Sequence, residues 1–141
     1  LLTSRNATIE GRPTGRPFPY LEIAMRLVDL DPRWLLHDGR RVGFVFKSPT
    51  LGDDMWMACF ENPPERREQW ALFRSVFPDD YRNGKGFALM VQGMKPASHW
   101  RISGGIEDAN FETMTVTPSL DGSPAGNWHG FITNGEIVGG I

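Results

Sequence analysis

The chain has 141 residues, with 15 Lys and Arg against 17 Asp and Glu for a formal net charge of -2. That length suits one domain that buries a core without disulfides or a structural metal. Interspersed charges of nearly balanced sign exclude the basic footprint of a general nucleic-acid binder. The single Cys59 excludes an internal disulfide and a cysteine-rich zinc site, and fits a reducing compartment.

No apolar run approaches the roughly 20 residues of a membrane span, and the first residues lack the basic-then-apolar order of a signal peptide. A soluble protein with no membrane or nucleic-acid partner is expected. Asn6-Ala7-Thr8 matches a glycosylation sequon and Ile9-Glu10-Gly11-Arg12 a protease site used in expression vectors; no function is read into either. From Gly11 to Pro19, "GRPTGRPFP" removes backbone donors and disfavours regular structure. Residues 1–19 are therefore expected to form an extended N-terminal arm, which either docks on a neighbouring subunit to give a homo-oligomer or frays. Residues 20–141 form the expected single β-rich α+β domain.

Asp38-Gly39 is a turn signal, and "RRVGFVFKSP" predicts a strand over 41–47 that stops at Pro49. "MWMACF" predicts a second strand over 55–60, linked to the first through "SPTLGDD" as a hairpin. "PPERREQWALFRSVFP" predicts a helix over 63–78 with Pro64 in its first turn and Pro78 ending it. Its apolar stripe is Trp70, Phe73 and Phe77, with Arg66, Arg67, Glu68 and Arg74 mostly outside, as in a helix laid on a sheet.

A further apolar strand is predicted over 86–93, with "HWRIS" extending or pairing with it before the Gly104-Gly105 turn. "FETMTVTPSL" then alternates, placing Phe111, Thr113, Thr115 and Thr117 on one face and Glu112, Met114 and Val116 on the other. Pro118 ends that strand or puts it on an edge. These elements add up to a mainly antiparallel sheet of about five to seven strands with one helix packed on it.

Asn134-Gly135 is a strong hairpin signal, because both central residues of a type I' turn need positive φ. A two-residue turn there sets Thr133 opposite Glu136, Ile132 opposite Ile137 and Trp128 opposite Ile141. One face then carries Trp128, Gly130, Ile132, Ile137, Gly139 and Ile141 as a core face, with glycines allowing something close above it. The other carries His129, Phe131, Thr133, Glu136 and Val138. On that face His129 is a candidate acid or base, with Glu136 or Asp121 as an orienting carboxylate and Ser119 as an accompanying hydroxyl. Ser119 lacks a nucleophile elbow and also reads as a turn residue.

Other chemistry has little footing. His37, His99 and His129 form none of the spacings that bring metal ligands onto one face, so no metal and no cofactor is expected. "NGKGFA" is half of a phosphate loop without the rest of its motif.

Several blocks, "RLVDLDPRW", "GFVFKSP" leading to "FENP", and "WRISG" followed by "FETMTVTPSLD" and "WHGFITNGEIV", resemble a family of small bacteriophage and prophage proteins of unknown function, often labelled ammonia monooxygenase. The likeness spans most of residues 26–138; "PPERREQWALFRSVFPDDYRNGKGFALMVQG" has no counterpart in it. Members tend to carry cysteines where this chain has Ser48-Pro49-Thr50-Leu51-Gly52, and hydroxyls do not replace soft sulfur ligands. No copper or di-iron ligand set supports the monooxygenase label.

The resemblance implies a phage-encoded, non-enzymatic interaction protein in the host cytoplasm or the virion. It would inhibit a host defence complex or serve as a virion accessory, with a host or phage protein as partner. Trp34, Trp56 and Trp100 beside polar turns, together with Trp128, His129 and Phe131, are the candidate binding residues. The alternative is a small hydrolase or ligand-modifying enzyme using His129 with Glu136, Asp121 or Ser119. A peptide-binding sheet edge or a conjugatable "VGGI" tail is a third reading.

Overall fold

The computed structural model of the chain describes residues 25–77, 100–123 and 126–139, with the backbone alone for residues 52–54. The arm over 1–19, the domain start at Tyr20, the strand at 86–93, "NGKGFA", His99 and the last two residues lie outside the described residues.

Two dipeptide turns set up the strands. Asp38 (φ 54°) and Gly39 (φ 78°) close β1 (Arg33–His37) onto β2 (Arg40–Ser48). Asn134 (φ 49°) and Gly135 (φ 75°) close β6 (His129–Thr133) onto β7 (Glu136–Val138). Positive φ at both central residues gives these turns the twist that antiparallel neighbours share. The Asp38-Gly39 signal thus has a strand on each side, and "RWLLH" is the one the pattern did not reveal.

Between β2 and β3 (Gly52–Phe60), the Ser48 hydroxyl accepts from the backbone N–H of Thr50 at 3.2 Å and of Leu51 at 3.0 Å. The Ser48 hydroxyl thereby shapes this hairpin turn.

β1, β2 and β3 form an antiparallel sheet in that order, and β4 (Arg101–Ile102), β5 (Val116–Asp121), β6 and β7 form a second. With α1 (Arg66–Val76), the fold is α+β and mainly antiparallel, with seven strands and one α-helix among the described residues. No helix among them is long and apolar enough to cross a membrane.

The layers follow from β2, which is buried on both faces. Val42 and Val45 join Leu35, Trp56, Phe60, the helix residues Leu72 and Phe73, and Phe77 just past the helix end in one core cluster. Phe44 and Phe46 point the other way and join Met57 and Cys59 against Ile102, Met114, Val116, Leu120, Trp128 and Ile132 of the second sheet. The order of layers is helix, three-stranded sheet, four-stranded sheet. This explains why "VGFVF" reads as a continuous apolar run rather than an alternating one.

The helix is shorter at both ends than the predicted 63–78, and its buried side is Gln69, Leu72 and Phe73, followed by Phe77. Trp70 is only partly buried and carries Arg74 over its ring.

One expectation for residues 111–118 is corrected, and one of the two readings of Pro118 is set aside. Phe111 to Thr113 form a turn rather than a strand, because the Asn110 carboxamide oxygen accepts from the N–H groups of Glu112 and Thr113 at 2.9 and 3.0 Å. Phe111 and Met114 consequently both pack against the core, although strict alternation put them on opposite faces. Pro118 does not end β5 but lies within it. Among the described residues β4 pairs with Val116 and Thr117, and Pro118 lies beyond that ladder, where its missing N–H costs none of these bonds.

Polar ties fasten the two sheets. The Glu61 carboxylate at the end of β3 accepts from the N–H of Ile102 at 2.9 Å and of Ile106 at 3.3 Å. Arg41 donates to the carbonyls of Ile106 at 3.1 Å and Ala109 at 2.8 Å, with its guanidinium 4.1 Å from the Trp34 ring centroid. Asn127 reaches the Trp56 carbonyl at 3.2 Å. Residues 25–27 add a rung beside β7, through Leu27 N–H to the Gly135 carbonyl and Ile137 N–H to the Met25 carbonyl, both at 2.9 Å.

Candidate functional site

The hairpin register is the expected one: Thr133 faces Glu136, Ile132 faces Ile137 and Phe131 faces Val138. Trp128 and Ile132 turn inward and are buried, and the space above Gly130 is taken by the Trp128 indole itself. A Cβ at Gly130 would stand 2.3 Å from that ring, whose Nε1 donates to the Gly139 carbonyl at 3.1 Å. Gly139 is therefore part of the fold, which weighs against reading "VGGI" as a free tail.

Facing outward are His129, Phe131, Thr133 and Val138. Asp121 on β5 lies directly opposite His129 on β6, and Ser119 stands two residues earlier on the same strand face. The imidazole bridges them, with Nε2 at 3.4 Å from the Ser119 hydroxyl and Nδ1 at 4.0 Å from Asp121 Oδ1. Sequence reasoning named all three residues but not their alignment, which depends on the register between β5 and β6.

Glu136, the other proposed carboxylate, is not brought to His129. It sits at the turn end of β7 and faces Arg26 at 4.0 Å. Ser119, expected in a turn, is a strand residue.

In form, the Ser119, His129 and Asp121 arrangement is that of a nucleophile, base and orienting acid. Its surroundings argue against that chemistry. His129 and Asp121 side chains are 53% and 51% exposed, so water screens their interaction. Asp121 Oδ1 already accepts from the Ser123 hydroxyl at 2.6 Å and the Ser123 N–H at 3.0 Å. No cluster of three or more His, Cys, Asp or Glu residues placed to hold a metal occurs among the described residues. Cys59 is fully buried, and desolvation, then the Glu61 charge, push its thiol well above the ordinary range, so it is a core residue rather than a nucleophile.

The tryptophans named as binding candidates divide by burial. Trp56 and Trp128 are inside the core and present no ring at the surface. Trp34 is covered, stacked on Phe111 at 4.2 Å with Arg41 over its ring. Trp100 is half-buried and lines an open groove of about 560 Å³ together with Glu61, Asn62, Arg101, Thr117 and Pro118.

Phe131 and Val138, paired across β6 and β7, are 48% and 44% exposed. Arg101 faces outward at the opposite edge of the same sheet, paired with exposed Thr117. This outer face thus has an apolar pair on one side, a Ser-His-Asp cluster in the middle and, on the other, a groove lined by Arg101 and Glu61 among its charged residues. Val138 and Arg101 had no site role in the sequence reading; the Asn134-Gly135 register could have indicated the first, but nothing local signals the second.

Compared with known proteins, the chain matches no family model, no curated protein and no solved structure.

Proposed function

We propose that this protein is a non-enzymatic, phage-encoded interaction module that docks a host or phage protein on the outer face of its four-stranded sheet. It would act in the host cytoplasm as an inhibitor of a defence complex, or in the virion as an accessory protein. The observation that carries this reading is the Phe131 and Val138 pair, two large apolar side chains adjacent in space and about half exposed, where a strand face turned to water would favour polar residues. Polar groups beside them complete the pattern of an apolar centre with a polar rim. The phage-like sequence blocks supply the biological setting.

The test is capture from phage-infected bacterial lysate with the tagged protein, a Phe131→Ser/Val138→Ser variant and a His129→Ala variant. A stoichiometric partner held by the parent and by His129→Ala, but lost from the double variant at unchanged thermal stability, supports the reading. Retention by the double variant, or no partner at all, sinks it.

The geometry of Ser119, His129 and Asp121 motivates a second reading, an esterase-like hydrolase in which His129 Nε2 takes the Ser119 proton. Hydrolysis of p-nitrophenyl acetate above background, abolished by both Ser119→Ala and His129→Ala, would favour it. Equal rates for all three proteins would remove it.

A further inference from the structure

The groove at the β4 edge has an uneven charge arrangement. Both carboxylate oxygens of Glu61 are held inward by the N–H groups of Ile102 and Ile106. The Trp100 indole N–H is likewise satisfied by the Ser119 carbonyl at 3.1 Å, which fixes the ring as a wall beside β5. Arg101 is different: among the described residues its exposed guanidinium has neither a hydrogen-bond nor an ion-pair partner. The same holds for the side chains of Asn62 and Thr117, which flank it on the groove wall.

An arginine that is always charged and presents planar paired donors is suited to a carboxylate. Beside it, the Trp100 ring and the Pro118 ring offer rigid apolar surface. The groove is open rather than enclosed, which suits an extended chain passing through more than a small ligand engulfed on all sides.

We propose that this groove receives an extended segment of the partner polypeptide bearing an aspartate or glutamate side chain. Arg101 pairs with the carboxylate, Asn62 and Thr117 hydrogen-bond the segment, and Trp100 and Pro118 pack its neighbouring apolar residue. The inference rests on the docking role of the outer sheet face, of which the groove is the β4 end. It adds the chemistry of the partner.

Fluorescence anisotropy on the full chain tests this, using a short fluorescein-labelled peptide with blocked ends and a central glutamate between leucine and phenylalanine. Binding is expected that weakens about tenfold in Arg101→Gln, and by a similar factor when glutamine replaces the peptide's glutamate. It should weaken less in Asn62→Ala and fall as salt rises. Arg101 and Asn62 are exposed, so both variants should keep the parent's melting temperature.

Equal affinity for the glutamine peptide, recovery of binding only when that peptide has a free C-terminal carboxylate, tighter binding of an oligothymidylate, or no binding at all would each overturn the proposal. If Arg101→Gln still captures a partner that Phe131→Ser/Val138→Ser loses, the docking face stands and the acidic-segment groove falls.

Discussion

Gly39 and Gly135 allow the contribution of tertiary docking to be separated from that of the turn. Both are second residues of two-residue hairpin turns, with φ of 78° and 75°. Alanine at either position meets the same left-handed backbone penalty, about 1–2 kcal/mol. Beyond that they differ. A Cβ at Gly39 has nothing within 4 Å, whereas one at Gly135 would stand 2.0 Å from the Glu112 carbonyl oxygen, which is backbone and cannot rotate away.

The Gly135 N–H also donates to the Met114 carbonyl, and its own carbonyl accepts from Leu27, both at 2.9 Å. Steric displacement adds about 1–3 kcal/mol, and the two hydrogen bonds about 0.5–1.5 kcal/mol each. Gly135→Ala should therefore cost roughly 2–6 kcal/mol more than Gly39→Ala. Equilibrium urea unfolding of the two variants and the parent measures this directly.

Asparagine at each site refines the comparison. It tolerates positive φ, so Gly39→Asn should be close to neutral, while Gly135→Asn keeps its Cβ and hence most of the clash. Costs for Gly39→Ala and Gly135→Ala agreeing within about 0.5 kcal/mol would refute docking of the hairpin tip on residues 110–115.

Glu61→Ala leaves the N–H groups of Ile102 and Ile106 without their acceptor and should cost about 2–4 kcal/mol in urea unfolding; a loss below about 1 kcal/mol would mean water takes over without penalty. Cys59 keeps its proton in the native state at pH values where the unfolded chain releases it, near the ordinary value of 9.0. Stability from this group is thus complete below that pH and falls above it by up to about 1.4 kcal/mol per unit, a slope expected to be shallower in Cys59→Ala. Parallel pH dependence of the two proteins between pH 8 and 10 would contradict the burial of this thiol. Ser119→Ala and His129→Ala should each shift stability by no more than about 0.5 kcal/mol, because their cluster is half-exposed; a loss above about 2 kcal/mol by thermal unfolding would show that it supports the fold.

Local signals carried much of the architecture. Asp38-Gly39 and Asn134-Gly135 define their turns because few other dipeptides accept positive φ twice, and once the second turn is placed, period-two alternation assigns Trp128 and Ile132 inward and His129 and Phe131 outward. The helix was legible from its stripe and flanking prolines. Where a local side chain competes with the ladder, as Asn110 does, apparent alternation over 111–117 misleads, although the asparagine itself was a readable turn signal.

Three features were decided only by the tertiary structure. Covering both faces of β2 required the helix and the second sheet together, which no single segment encodes. Bringing Ser119 and Asp121 to His129, and sending Glu136 to Arg26 instead, depended on which strands pair. The availability of Trp100 and Arg101, against the burial of Trp56 and Trp128, followed from layer packing. Turn chemistry and alternation act over a few residues, and so can be read along the chain. The register between paired strands, the packing of one sheet on the other and the solvent exposure these leave are properties of the packed whole.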